Sequence, residues 1–79
     1  VQYFVHKGGE YIVSLGLAIK MARIQNKLTQ KDVAQEIKIS SQYLSEIECD
    51  KRIPSYLIAK KLQVFFPNST ILKEYEILI

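Results

Sequence analysis

This chain of 79 residues carries one cysteine, one histidine and three glycines, and it has no long apolar run. Each scarcity excludes something. A lone cysteine, Cys49, cannot close an internal disulfide, which fits a reducing cytosol and a cytoplasmic protein. A membrane-spanning helix needs about 20 consecutive apolar residues, and no stretch here approaches that. The opening residues, VQYFVHKGGEYIV, show no charged segment ahead of a long apolar block, so no signal peptide is readable. His6 stands alone near the N-terminus, and Cys49 has no histidine within its motif. There is no metal-ligand cluster and no glycine-rich phosphate loop. The carboxylates fall on helix faces expected to be exposed, where solvation is their ordinary role. Catalysis, metal and cofactor therefore have no support.

What the chain does have is apolar content, 48%, enough for one core. At this length a single domain is expected, burying roughly 60% of its unfolded surface. The formal net charge is +3 and the pI about 9.1. That balance permits a polyanionic partner without demanding one.

Residues 1–14 read as an N-terminal extension, and residues 15–79 as the domain. The segments QYFVHK and EYIVS flank Gly8-Gly9, a pair suited to a tight hairpin turn. An extended tail fits as well. A third reading concerns the gene: KGG is encodable as AAR-GGN-GGN, which can contain AAGGAGG, a ribosome-binding site. Val13 lies a short way downstream and GTG is a usable bacterial start, so residues 1–12 would be translated leader. A Val13 codon other than GTG excludes that reading.

Helical periodicity then takes over. The first helix is expected over Leu15–Asn26 with Ser14 as cap and Leu17, Met21, Ile24 and Leu28 as its apolar stripe. Lys20, Arg23 and Lys27 form a basic stripe beside it, on a solvated face or near phosphates. Thr29 with Asp32 is a capping-box pattern and opens a second helix that buries Val33, Ala34 and Ile37. Ser40 caps a third helix, 40–48, that turns Leu44 and Ile47 inward, with Tyr43 at the stripe's edge. CDKRIP is a loop, since Pro54 disfavours a helical Ile53. A fourth helix, Ser55–Phe66, has Leu57, Ile58, Leu62 and Phe65 as its core face. A fifth, Thr70–Ile79, has Ile71, Leu72, Tyr75, Leu78 and Ile79 on one side.

The middle pair carries the information. Val33, Ala34, Ile37, Ile39, Leu44 and Ile47 are spaced for two helices that cross closely at the small Ala34. The connection around Lys38–Ser40 is too short for antiparallel packing, which makes the pair a helix-turn-helix. The words LTQKDVAQEI, ISSQYLSEIE and KRIPS resemble the Cro/repressor-like, or Xre, helix-turn-helix proteins of phages and bacteria over about Leu17–Leu62. The resemblance implies an all-α, five-helix, λ-repressor-like domain that binds double-stranded DNA.

In such a domain the second helix of the pair enters the major groove. Ser41, Gln42, Ser45 and Glu46 are then the expected base-contacting residues. Gln42 can pair with adenine N6 and N7, serine with either kind of pair, and Glu46 can accept from cytosine N4. Gln30, Lys38, Ser40, Tyr43, Lys51 and Arg52 are the expected backbone contacts. Such contacts set register and most of the affinity, and Gln30 has the free N–H groups of a helix N-terminus behind it.

Three departures stand out. Lys38 occupies a turn position that is commonly glycine in the family, at a strain cost if its φ is positive. Cys49-Asp50 replaces the usual Asn-Gly or Arg-Gly; Asp tolerates the left-handed conformation, and its acid weakens the local positive field. Glu46 stands where many relatives carry Arg or Gln, and Glu48 is expected to cap or pair locally. The groove-facing surface is thus less basic than usual, which raises the need for a homodimer on half-sites one DNA turn apart. The apolar C-terminal end either packs on the chain's own core or forms a two-fold interface anchored by Phe65, Phe66 and Tyr75; the N-terminal segment could also pair across a dimer. The function implied is transcriptional regulation, as a repressor. The alternatives are the DNA-binding antitoxin of a toxin pair, or a helix-turn-helix kept for protein contacts only.

Overall fold

Three successive helices in this chain end on a left-handed residue that is not glycine. The computed structural model describes residues 3–5 and 11–78, and within them the helices are α1 (Leu15–Gln25), α2 (Gln30–Ile37), α3 (Ser41–Glu48), α4 (Tyr56–Phe65) and α5 (Ile71–Leu78). Lys27, Lys38 and Asp50 follow the first three, with φ of 58°, 63° and 60°. In each case the next N–H reaches back to a carbonyl five residues earlier: Leu28 to Arg23, Ile39 to Ala34, and Lys51 to Glu46. This is the hydrogen bond that closes a Schellman end and satisfies a carbonyl left over by the helix.

The starts are as regular as the ends. Ser14, Thr29, Ser40 and Ser55 each turn a hydroxyl onto an N–H of the first turn, those of Leu17, Asp32, Tyr43 and Ile58. At α2 the box is complete, since the Asp32 carboxylate accepts from the Thr29 N–H at 2.9 Å. α5 is started differently: Gln63, on α4, accepts from the Leu72 N–H at 2.9 Å and donates to the Ser69 carbonyl at 3.0 Å. One side-chain amide thus ties the end of α4 to the start of α5.

Ahead of the helices, strands β1 (Tyr3–Val5) and β2 (Tyr11–Val13) pair antiparallel, Tyr3 opposite Val13 and Val5 opposite Tyr11. That register leaves residues 6–10 as the connection. The expected Gly8-Gly9 turn, and His6, lie outside the described residues.

Ile19, Val33, Leu44, Ile47, Leu62 and Ile71 fill the core. The buried face of α1 is Leu15, Ala18, Ile19 and Ala22; of the expected stripe, Leu28 packs against the core and Leu17 is half-buried, whereas Met21 and Ile24 are exposed, Ile24 at 54%. The reason is size. Ala18 and Ala22 lie beside residues 68–70, and a Cβ on Gly16 would stand 2.6 Å from the carbonyl oxygens of Ile47 and Glu48, so α1 comes against α3 at Gly16. A larger side chain there would hold the helices apart. Two further expectations fail. Leu57 of α4 is exposed and Ala59 takes its place, and Leu78 faces outward on α5. Phe66 and Tyr75, considered as dimer anchors, are buried in the chain's own core, with Phe65 packed against it.

Candidate nucleic-acid interface

The turn between α2 and α3 is three residues long. Lys38 takes the left-handed conformation, φ 63° and ψ 49°. Ile39 packs against the core, and Ser40 caps α3 with its hydroxyl on the Tyr43 N–H at 3.0 Å. The backbone shape that glycine would supply is therefore kept by lysine. α3 turns Leu44, Ile47 and Glu48 inward. Ser41 and Gln42 stand exposed, and Ser45 and Glu46 half-buried. The four residues expected at base edges are thus gathered on the outer side of one helix.

Glu48 is only 2% exposed. Arg23 meets it with two prongs, Nε to Oε2 at 2.7 Å and Nη2 to Oε1 at 3.0 Å, and donates its third group to the Leu28 carbonyl. Glu48 hydrogen bonding raises the guanidinium pKa above its ordinary value, and burial only partly offsets this. Arg23 is accordingly not a member of a solvated basic stripe with Lys20 and Lys27, and Glu48 does not pair locally: the two join α1 to α3. Gln30, the first residue of α2, also donates to Glu48 Oε1, at 3.0 Å. The residue expected against phosphate is thereby held in place from behind. Sequence reasoning missed this clamp, yet a signal existed: Leu44, Ile47 and Glu48 share one helical face, and an acid at core spacing demands a cation.

The loop after α3 brings its cations back over that helix. Arg52 Nε donates to Glu46 Oε1 at 2.8 Å, and its guanidinium carbon lies 5.6 Å from the Tyr43 ring centroid. Lys51 is exposed beside it. Asp50 turns its carboxylate away onto the Gly16 N–H at 2.9 Å, so its charge faces the N-terminus of α1 and does not simply weaken the field of the loop. Ser40, Tyr43, Glu46 and Arg52 are thus linked on one face, and Gln30 is tied to α3 through Glu48. Lys38 lines a different surface, a groove of about 620 Å³ shared with Glu36, Leu57, Lys60, Lys61 and Val64.

Cys49 is a free, exposed thiol at the end of α3. Among the described residues no group of three or more His, Cys, Asp or Glu is placed to hold a metal ion, and no helix is long and apolar enough to cross a membrane.

Residues 19–71 match the family model described as Helix-turn-helix, of the Cro/C1 and Xre-like type. Comparison with curated proteins and with solved structures finds no match.

Proposed function

This chain belongs to the Cro/C1-type helix-turn-helix family, a family of DNA-binding regulators, and we propose that it is a sequence-specific transcriptional repressor that reads the major groove with α3. One observation carries the reading. α3 has a polar outer face of Ser41, Gln42, Ser45 and Glu46, and its inner face is clamped to two other helices through Glu48. A rigid helix that presents small hydrogen-bonding groups is what base readout needs.

In this reading Gln42 pairs with adenine, Ser41 and Ser45 contact neighbouring bases, and Glu46 accepts from a cytosine amino group. Gln30, Ser40, Tyr43, Lys51 and Arg52 hold the phosphates, with Lys38 reaching the backbone from the groove side. A single eight-residue helix covers one half-site, so a homodimer is part of the proposal. Repression follows by occupancy of a promoter, in the cytoplasm of a bacterium or of a mobile element's host. No catalytic step is assigned.

The test is binding to the DNA just upstream of the protein's own gene, at two salt concentrations, for wild type and Gln42→Ala. Binding that salt weakens and that Gln42→Ala weakens by about 1–3 kcal/mol is expected. Equal, weak binding by both proteins would refute an autoregulating reader. It would place the target elsewhere or favour the protein-contact alternative, which draws on the acids at Glu46 and Asp50.

A further inference from the structure

We infer that Asp50 is a positioning residue for DNA binding: by capping α1 it holds the loop that presents Lys51 and Arg52. The inference rests on the DNA-binding reading above and goes beyond it, since Asp50 itself touches no DNA in this account.

Three observations converge on this residue. Asp50 Oδ1 accepts from the Gly16 N–H at 2.9 Å, across 34 residues of chain. Gly16 is the second residue of α1, and its N–H belongs to the set that no helical carbonyl can serve. Ser14 takes the next one, that of Leu17. A carboxylate is well suited to this end of a helix, where the backbone carries a partial positive charge.

Next, only glycine admits the approach. An added Cβ at residue 16 would lie 2.6 Å from Asp50 Oδ1 as well as from the two α3 carbonyls. Finally, Asp50 holds φ 60°, a conformation that costs free energy outside glycine and is tolerated by Asp because its side chain can bond locally. Here the side chain finds its bond on another helix.

The consequence falls on the next two residues. Lys51 is fixed from below by its N–H on the Glu46 carbonyl at 2.9 Å. Pro54, fully buried, anchors the far end of the loop. Between Asp50 and Pro54 the exposed Lys51 and Arg52 have little backbone freedom. Two cations held in register contact phosphates without first being ordered.

Simple electrostatics makes the opposite forecast, which gives the test its edge. Removing an acid beside a DNA-binding surface should tighten binding. Asp50→Asn and Asp50→Gly both remove the charge, but Asn keeps an oxygen acceptor and glycine does not, while both accept the left-handed backbone. The experiment measures binding of each protein to a short mixed-sequence duplex across a salt series, which reads backbone contacts alone. In parallel, amide resonances of Lys51 and Arg52 are recorded without DNA, and a thermal melt is run.

Expected is that Asp50→Asn binds as wild type or more tightly. Asp50→Gly, still folded, binds more weakly, its salt slope shallower by about one phosphate contact, and shifts the two amide resonances. If Asp50→Gly lowers only the melting temperature, or both variants behave alike, the inference is overturned. Wild type that shows no salt-dependent binding would overturn the DNA reading and this inference together. Wild type that binds beside an unaffected Asp50→Gly overturns the inference alone.

Discussion

Arg23 and Glu48, 25 residues apart in the chain, meet in a two-pronged ion pair at 2.7 and 3.0 Å. The same carboxylate takes the Gln30 amide at 3.0 Å. One acidic side chain therefore sets the mutual orientation of α1, α2 and α3. α3 is the proposed reading helix, α2 precedes it in the helix-turn-helix, and α1 packs against it.

Loss of the cation should be costly. Arg23→Ala takes the two-pronged Arg23 contact from Glu48, which is 2% exposed, and about 3–5 kcal/mol of stability is expected to go. Replacing both partners, Arg23→Met with Glu48→Leu, should fall much closer to wild type, because burying two charges has its own desolvation cost. Urea denaturation of wild type and the two variants measures this. A single-variant loss below about 1 kcal/mol, the level of an exposed pair, would contradict the clamp.

The start of α2 should confer an acid-sensitive contribution. The Asp32 carboxyl is held below the ordinary carboxylate value by the Thr29 N–H, then by the Thr29 hydroxyl and the nearby Lys31 charge, with a small opposing effect of burial. A depressed acid stabilises the fold above its unfolded pKa, near 4, and that contribution disappears as pH falls through the lower folded value. Wild type should therefore melt above Asp32→Ala at neutral pH, with the gap closing as the pH drops below about 4. A gap that persists at low pH would exclude the carboxylate as its source.

How much of this was legible in the sequence follows from what each position asks of a residue. The caps were readable because Ser and Thr ahead of a periodic run have few other uses, and Val33, Ala34, Ile37, Leu44 and Ile47 stood at helix-turn-helix spacing. The face of α1 was not. Hydrophobicity favours Leu17, Met21 and Ile24, but the contact with α3 demands a glycine at residue 16, and only the fold reveals that close approach and the burial of Ala18 and Ala22 beside residues 68–70. Glu48 stands at core spacing with Leu44 and Ile47, but nothing local says that its cation is Arg23, 25 residues away. The link between Asp50 and Gly16 joins two segments with no local pattern in common. On α4, Leu57 satisfies the helical period as well as Ala59 does, and packing alone chooses between them.

The left-handed turn residue offers a stability test. Lys38 sits at φ 63°, where a side chain meets the following carbonyl and glycine does not. Lys38→Gly should stabilise the protein by about 1 kcal/mol, after allowing for the greater freedom of glycine in the unfolded chain. Lys38→Val should destabilise it, since a branched Cβ fits this region worst. Thermal melts of both variants decide it, and a glycine variant that melts below wild type would show that lysine bears no strain at this position.

Glu46 and Arg52 form an ion pair on the outer side of α3, at 2.8 Å, with side chains 32% and 61% exposed. Such a pair is worth about 0–1 kcal/mol, so both partners are free to exchange it for stronger ones. In the proposed reading, Arg52 would gain a phosphate on a duplex while staying over the Tyr43 ring, and Glu46 would gain a cytosine amino group. That exchange would let Glu46 read a base while Arg52 offsets its repulsion from phosphate. Glu46→Gln, which keeps the shape and removes the charge, should then lose preference at one base pair by about 1–3 kcal/mol. Away from cytosine it should bind no worse, because a charge near phosphates has gone. Selection from a randomised duplex pool, for wild type and Glu46→Gln side by side, separates the two roles of the acid. A change confined to one position identifies a base contact. A uniform change across all sequences would mean that Glu46 serves only to hold Arg52.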